Sequence, residues 1–459
     1  MNHDYQIPDR LIQKYNVNGP RYTSYPTAPV WGPVDSQTQH GWFLELAKSP
    51  RPLSLYFHIP FCQERCSYCG CNTMITQNHG KATEYVTYLL KELDHLASYG
   101  LGHKQVRQIH FGGGTPTFLK DEEFGQILGK VRELFSFEPN AELAIEVDPC
   151  STHEGQMEML AALGFNRLSL GLQDFNPKVQ QAVNRIQSLE ITKKHIDLAR
   201  TLGFSGVNLD LMYGLPHQTL ETMKVTLDQV ISLNPDRLAL YNFAYLPEQL
   251  PHQKLIHPED LPDEKTKLAI FFEAIQRFTQ AGYEYIGMDH FAKSTDELSV
   301  AQKSRQLYRN FMGYSPKSGV DLVGVGITSI GETETYFLQN EKSLPEYQKA
   351  IATSGLAGKR GIQLSLDDRI RKWTIIRLIC HFYLDFEEFA QAFGQDFPTY
   401  FKTELDGLGD MVEEGLLELG AGHIQVKPWG KILVRNICMR FDAYLTGKEA
   451  PKVKFSKTI

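Results

Sequence analysis

No uninterrupted apolar run in the 459-residue chain is long enough to span a bilayer, which excludes a helical membrane protein. Positive charge is not in excess: 47 Lys and Arg face 54 Asp and Glu, a formal net charge of -7. Nucleic-acid binding therefore has no electrostatic footing. Met1-Asn2-His3-Asp4-Tyr5-Gln6 lacks the basic stretch and apolar core of a secretory signal. Cysteines number seven, an odd count, with four inside ten residues. This excludes a disulfide framework and points to a reducing cytoplasm. Cys150, Cys380 and Cys438 stand alone in sequence and read as inert free thiols. What remains is an ordinary globular composition, 42% hydrophobic and 22% charged, with length enough for two to four domains.

The clustered cysteines carry the strongest signal. Cys62, Cys66 and Cys69 are spaced C-x3-C-x2-C in the run His58-Ile59-Pro60-Phe61-Cys62-Gln63-Glu64-Arg65-Cys66-Ser67-Tyr68-Cys69-Gly70-Cys71. Three such thiolates suit three corners of a [4Fe-4S] cube, soft ligands for a soft cluster. The fourth iron then lacks an obligatory protein ligand and is open to a small molecule, for which S-adenosylmethionine is the expectation. The rival is structural zinc with Cys71 as fourth ligand. Zinc sites usually pair two knuckles across a longer loop, and Cys69-Gly70-Cys71 is tight for two ligands of one tetrahedral ion. The role of Cys71 stays open, as does that of His58, a strand residue or a cluster neighbour.

Six short β-rich runs recur, each followed by a helical or loop stretch. They are 53–59, 106–111, 142–147, 167–172, 207–212 and 237–242. Between them, Tyr85, Tyr88, Leu89, Leu93 and Leu96 follow a helical stripe, as do Phe124, Ile127, Leu128, Val131 and Leu134. Gly164 and Gly203 stand where helices should stop. Strands alternating with helices imply a parallel sheet with right-handed crossovers. Six units fall short of eight, so the expected fold is α/β, an open partial (β/α)6 TIM-like barrel. Its carboxyl strand ends should form the active face. There lie the cysteine run, Gly112-Gly113-Gly114-Thr115-Pro116, Glu146 and Asp148, Gln173, and Asp210 with Tyr213.

Three segments are expected. Residues 1–50, Pro- and Tyr-rich around Gly19 to Thr27, read as an extended arm that packs across the barrel or covers its active site. Residues 51–340 form the barrel. Beyond about 340 the alternation stops, and 341–459 reads as a smaller, mainly helical domain. In it, Asp367 to Phe382 is helical with Ile370, Trp373, Ile376 and Cys380 on one face, and a hairpin runs through Leu417, Leu419, Ile424 and Val426. No basic recognition helix is evident there, so a lid or docking role is favoured over DNA binding.

The cysteine run with Gly-Gly-Gly-Thr-Pro resembles the radical S-adenosylmethionine superfamily. Further motifs narrow the resemblance: Arg21-Tyr22-Thr23-Ser24-Tyr25-Pro26-Thr27, Cys69-Gly70-Cys71, Glu146-Val147-Asp148-Pro149, Gly171-Leu172-Gln173-Asp174-Phe175, Tyr213-Gly214-Leu215-Pro216 and Gly287-Met288-Asp289-His290-Phe291. Together they are similar to the oxygen-independent coproporphyrinogen III oxidases, over nearly the whole chain. The resemblance implies decarboxylation of two propionates to vinyl groups, giving protoporphyrinogen IX in haem biosynthesis, through a 5′-deoxyadenosyl radical. It implies Cys62, Cys66 and Cys69 as cluster ligands, and Tyr56, Gly113, Glu146 and Ile330 around the cluster-bound S-adenosylmethionine. It implies a second S-adenosylmethionine near Tyr68, Gly114, Thr115, Gln173, Arg185, Asp210 and Ala244, two per chain. Position 68 is commonly Phe in that family; Tyr68 keeps the ring and adds a hydroxyl.

Bland readings stand beside these: a tight turn for the glycines, an ion pair between Arg185 and Asp210, plain core for Ile330 and Ala244. Rival functions are a haem chaperone, a radical methyltransferase and a zinc-stabilised interaction protein. Neither a second cysteine cluster nor a flavin site is evident. An external donor such as a flavodoxin or ferredoxin is therefore expected, with coproporphyrinogen III as substrate, no nucleic-acid or membrane partner, and a cytoplasmic monomer.

Overall fold

A computed structural model describes residues 7–446 and 455–458. The expectation at Met1–Gln6 lies outside the described residues, as do the outer ends of the 1–50 and 341–459 segments. The chain forms two compact units, Gly32–Ile270 with Gly319–Gln363, and Met1–Trp31 with Phe271–Ser318 and Leu364–Ile459. These units interleave along the chain and do not follow the consecutive segments 1–50, 51–340 and 341–459. Among the described residues no helix is long and apolar enough to cross a membrane.

In the larger unit, β1 (Leu53–Ile59), β2 (Gln105–Gly113), β3 (Ser136–Val147), β4 (Arg167–Gln173), β5 (Gly206–Tyr213) and β6 (Arg237–Asn242) pair in sequence order, all parallel. Each of the six expected runs is a strand. All seven residues of β1 are buried, the mark of a strand covered on both faces. In β4 and β5 burial alternates. Leu168, Leu170, Leu172, Val207, Leu209 and Leu211 are buried, while Ser169, Gln173, Asn208 and Asp210 share the other, less covered face.

The intervening helices form where the stripes put them. Helix Gly80–Ala97 buries Tyr85, Leu89, Leu93 and Leu96, and helix Asp121–Leu134 buries Phe124, Ile127, Leu128 and Val131. Gly164 and Gly203 take left-handed φ of 93° and 86° just past their helices, the conformation only glycine adopts freely.

The sheet extends further than the six strands suggest. β7 (Asp321–Val325) lies parallel against β1, and β8 (Ile330–Glu332), β9 (Tyr336–Asn340) and β10 (Gly358–Gln363) follow antiparallel. The sheet thus runs past residue 340. A strand of three residues, as β8 is, holds too few positions to show a period.

The segment 1–50 is less extended than its composition suggests. Helices occupy Asp9–Tyr15 and, in the larger unit, Ser36–Lys48, whose N-cap Asp35 accepts from the Thr38 N–H. In the smaller unit, helix Leu366–His381 starts on a Ser365/Asp368 capping box and buries Ile370, Ile376 and Cys380. Trp373 is only partly buried, set edge-on to Phe389 and Phe393. The expected hairpin is present as Leu417–Leu419 and His423–Val426, with Tyr383–Asp385 as a third strand.

Candidate active site

The cysteine loop leaves the carboxyl end of β1. Its base is closed where Phe61–Cys62 pairs with Met74–Ile75. Two neighbouring segments hold it from outside. The Ser67 N–H donates to the Val183 carbonyl at 3.0 Å, and the Asn184 amide to the Arg65 carbonyl at 3.0 Å. His252 Nε2 donates to the Cys69 carbonyl at 2.7 Å. The Gln253 amide donates to the carbonyls of Tyr68 and Ala244, both at 3.2 Å.

Two of the three candidate ligand sulfurs meet a donor. Thr115 Oγ1 donates to Cys62 Sγ at 3.4 Å, and Arg185 Nη1 lies 3.8 Å from Cys66 Sγ. The neighbouring Cys71 thiol lowers the Cys69 thiol to about 6 despite its burial, and the same interaction drives the Cys71 thiol upward. Burial pushes the Cys62 thiol up to about 11. Among the described residues no three His, Cys, Asp or Glu side chains converge as a single metal ion requires. The corners of an iron–sulfur cube stand further apart than the ligands of one ion. Hydrogen bonds to cluster sulfurs are also a means of setting reduction potential. Donors at the sulfurs of Cys62 and Cys66 suit thiolate ligands of such a cluster.

The Gly-rich turn after β2 is built for contact with this loop. Gly114 N donates to the Ile59 carbonyl and Thr115 N to the Phe61 carbonyl, both at 2.8 Å. A Cβ at Gly114 would stand 2.8 Å from Phe61 O, and one at Gly113 would stand 2.6 Å from the His58 ring. Gly113 also has φ 117°. The bland reading as a mere tight turn is therefore insufficient: these glycines let one backbone lie on another.

Around the turn stands a polar row. Glu146 Oε2 accepts from Gly113 N at 3.0 Å, and Oε1 lies 3.3 Å from His110 Nε2. Burial works to raise the Glu146 carboxyl, but His110 and the Gly113 N–H outweigh it and hold it below its usual range. The Tyr56 ring stacks on His110 with centroids 5.9 Å apart. Tyr56 OH meets His58 Nδ1 at 3.1 Å, and His58 Nε2 meets the Asn72 carbonyl at 3.0 Å. A carbonyl only accepts, so Nε2 carries the proton and Nδ1 accepts from Tyr56. Burial lowers the His58 pKa and favours this neutral form. Asp210 accepts from Ser169 Oγ at 3.0 Å and Asn208 Nδ2 at 2.9 Å. Burial, then the nearby Glu146 charge, pushes the Asp210 carboxyl up to about 6.

Arg185 pairs with Asp148 at 3.2 Å and donates to the Gly171 carbonyl at 2.7 Å and Gln187 Oε1 at 3.2 Å. Its partner is thus Asp148, not Asp210. Gln173 ends β4 at φ 69°. Tyr68 packs against the buried cluster Val179, Val183, Leu215, Phe243 and Ile256. Ala244 is exposed and linked to Tyr68 through Gln253. Ile330 begins β8 against Gly324, the register partner of Tyr56, where a Cβ would stand 2.8 Å from Ile330 N.

Sequence reasoning missed His110, Ser169, Asn208, His252 and Gln253. The first three are polar residues on the same strand face as Glu146 and Asp210, a signal that alternation offers. His252 and Gln253 act on carbonyls more than 180 residues away, and nothing local announces that.

The radical SAM superfamily model matches residues 56–230, and the HemN C-terminal domain model matches residues 364–433. The oxygen-independent coproporphyrinogen III oxidase of Salmonella typhimurium is 45% identical over 451 residues, covering 98% of each chain. That of Pseudomonas aeruginosa is 41% identical over 455 residues, again covering 98% of each. Among solved structures, coproporphyrinogen III oxidase (HemN) from Escherichia coli, a radical SAM enzyme, superposes with a TM-score of 0.91 at 42% identity, covering 96% of this chain and 99% of the other. The superfamily implies a [4Fe-4S] cluster and S-adenosylmethionine, and this chain belongs to the oxygen-independent coproporphyrinogen III oxidases, a family of radical SAM oxidoreductases.

Proposed function

We propose that this chain converts two propionates of coproporphyrinogen III to vinyl groups with loss of CO2, giving protoporphyrinogen IX without oxygen. The observation that carries the reading is the cysteine loop laid on the Gly113–Gly114 turn beside Glu146. When bound, the cluster and S-adenosylmethionine supply a 5′-deoxyadenosyl radical able to take the non-acidic hydrogen of a propionate β-carbon. Cys62, Cys66 and Cys69 hold the cluster. Backbone groups at Gly113, with Tyr56, Glu146 and Ile330, hold the cluster-bound S-adenosylmethionine. Glu146, kept ionised, accepts from a cationic or hydroxyl group of that molecule.

A second S-adenosylmethionine is assigned to Tyr68, Gly114, Thr115, Gln173, Arg185, Asp210 and Ala244. Arg185 suits a carboxylate, because its guanidinium Nε is buried without a partner. Asp210 suits a hydroxyl or ammonium. A one-electron donor of flavodoxin or ferredoxin type, a monomeric state and a cytoplasmic location complete the proposal.

Anaerobic turnover with coproporphyrinogen III, reductant and S-adenosylmethionine tests the reaction. CO2 and protoporphyrinogen IX are expected; methylated product would favour the methyltransferase, and bound haem without turnover the chaperone. Asp210→Ala should lose product about 5- to 150-fold while the cluster keeps its paramagnetic response to S-adenosylmethionine. The partner left unpaired costs about 1–3 kcal/mol, more if charged. Equilibrium binding of one S-adenosylmethionine per wild-type chain, with a fully active Asp210→Ala, would remove the second site.

A further inference from the structure

The turn that delivers Ile330 is unusually constrained. It runs from Gly326 to Ser329, between β7 and β8, with φ of 97° at Gly326 and 56° at Thr328. A non-glycine residue in the left-handed region persists only where surroundings hold it. Here the holding group is a carboxylate. Glu92, from helix Gly80–Ala97, is buried at 5% exposure with no cation among its bonded partners. Its Oε2 accepts from Gly326 N at 2.8 Å and from Tyr347 OH at 2.6 Å, and its Oε1 accepts from Asn340 Nδ2 at 2.7 Å. Asn340 also donates to the Gly326 carbonyl at 3.0 Å, and Ser329 Oγ donates to the same carbonyl at 2.7 Å. Both polar groups of the Gly326 backbone are thereby clasped.

Two turns earlier on the same helix face stands Tyr85, fully buried. Its hydroxyl donates to the His58 carbonyl at 2.8 Å and accepts from Ile327 N at 2.9 Å. One hydroxyl therefore ties the end of β1, four residues before Cys62, to the turn before Ile330. A buried carboxylate is costly to keep without a task, and a hydrophobic residue would serve packing alone.

We propose that Glu92 is a positioning residue for cofactor binding: through Gly326 and Asn340 it fixes the Gly326–Ser329 turn and so sets where Ile330 meets the cluster-bound S-adenosylmethionine. Tyr85 registers that turn against the strand that feeds the cysteine loop. The inference rests on the proposed contact of Ile330 with S-adenosylmethionine.

The test is steady-state kinetics in S-adenosylmethionine on reconstituted holoenzyme, with iron and sulfide content and Tm measured on each variant. Glu92→Gln keeps the shape but turns one acceptor into a donor: with the amide oxygen kept on Gly326 N–H and Tyr347 OH, its NH2 faces the Asn340 NH2. It should raise KM for S-adenosylmethionine at least 10-fold while iron content stays whole and kcat changes less than threefold. Asn340→Ala, which removes the clasp from the other side, should shift KM the same way and serves where Glu92→Gln folds poorly. In an Ile330→Ala background the Glu92→Gln effect should vanish, since both changes act through one contact. If Ile330→Ala raises KM but Glu92→Gln and Asn340→Ala lower only Tm, the positioning role is overturned. Multiplying effects in the double variant overturn it equally. An unchanged KM in Ile330→Ala instead overturns the contact on which it rests.

Discussion

Cys66→Ser protein should carry no brown iron–sulfur chromophore and show no turnover, a loss below detection rather than a graded fall. A serine hydroxyl is hard and stays protonated near neutral pH, so it replaces neither the softness nor the charge of a thiolate. The site magnifies the loss. Arg185 Nη1 lies 3.8 Å from Cys66 Sγ, and a protonated serine gives the guanidinium no anionic partner on that side. Cys62→Ser and Cys69→Ser should behave alike. Cys71→Ser should not: Cys69-Gly70-Cys71 is too tight for both thiolates to serve one cluster. That variant should keep a cluster whose paramagnetic signal still responds to S-adenosylmethionine. Iron and sulfide analysis after anaerobic reconstitution decides. Full iron and activity in Cys66→Ser would sink the ligand assignment, and loss of the cluster in Cys71→Ser would make Cys71 a ligand and close the open iron.

The parts legible in the sequence are those with local signatures. All six parallel strands could be read, because each is a run of β-formers bounded by a helical stripe. The cysteine loop could be read because its spacing is chemistry written in one dimension. Glu146 and Asp210 could be placed because they lie late in strands of known direction. The illegible parts are of other kinds. β8 spans three residues and shows no period. Helix Asp9–Tyr15 spans seven and lies among prolines and tyrosines that suggest irregular chain. Glu92 sits beside Leu93 in an apolar stripe, where a lone carboxylate reads as a solvated edge. Its three donors come from residues more than 230 positions away, brought together only by the fold. Arg185 had a plausible partner in Asp210, but its actual partner Asp148 follows directly on β3, and only the register of the sheet distinguishes the two.

Gly114→Ala should be nearly as damaging as loss of a ligand, although Gly114 touches no iron. Its φ is not left-handed, so the cost is steric rather than conformational. The added Cβ would stand 2.8 Å from both Phe61 O and Pro60 C, and 2.9 Å from Pro60 O. These are backbone atoms of the residues just before Cys62, and backbone cannot rotate aside as a side chain can. At Gly112 the clash is with the Glu146 carboxylate, the end of a longer and more yielding chain. Relieving the contact at Gly114 means moving the two backbones apart, which weakens the bonds from Gly114 N to Ile59 O and from Thr115 N to Phe61 O. Each is worth about 1 kcal/mol. The larger consequence is that Cys62 and Thr115 Oγ1, now 3.4 Å apart, lose their register. Expected is a fall in turnover of at least 100-fold, with iron content reduced but not abolished. Gly129→Ala is the control: it lies in helix Asp121–Leu134 with open space around its would-be Cβ, and alanine favours helix. It should keep activity within twofold and gain up to about 1 kcal/mol of stability. Wild-type iron content and turnover in Gly114→Ala would show that the turn and the cysteine loop can separate without consequence, and that their backbone contact is not what sets the cluster in place.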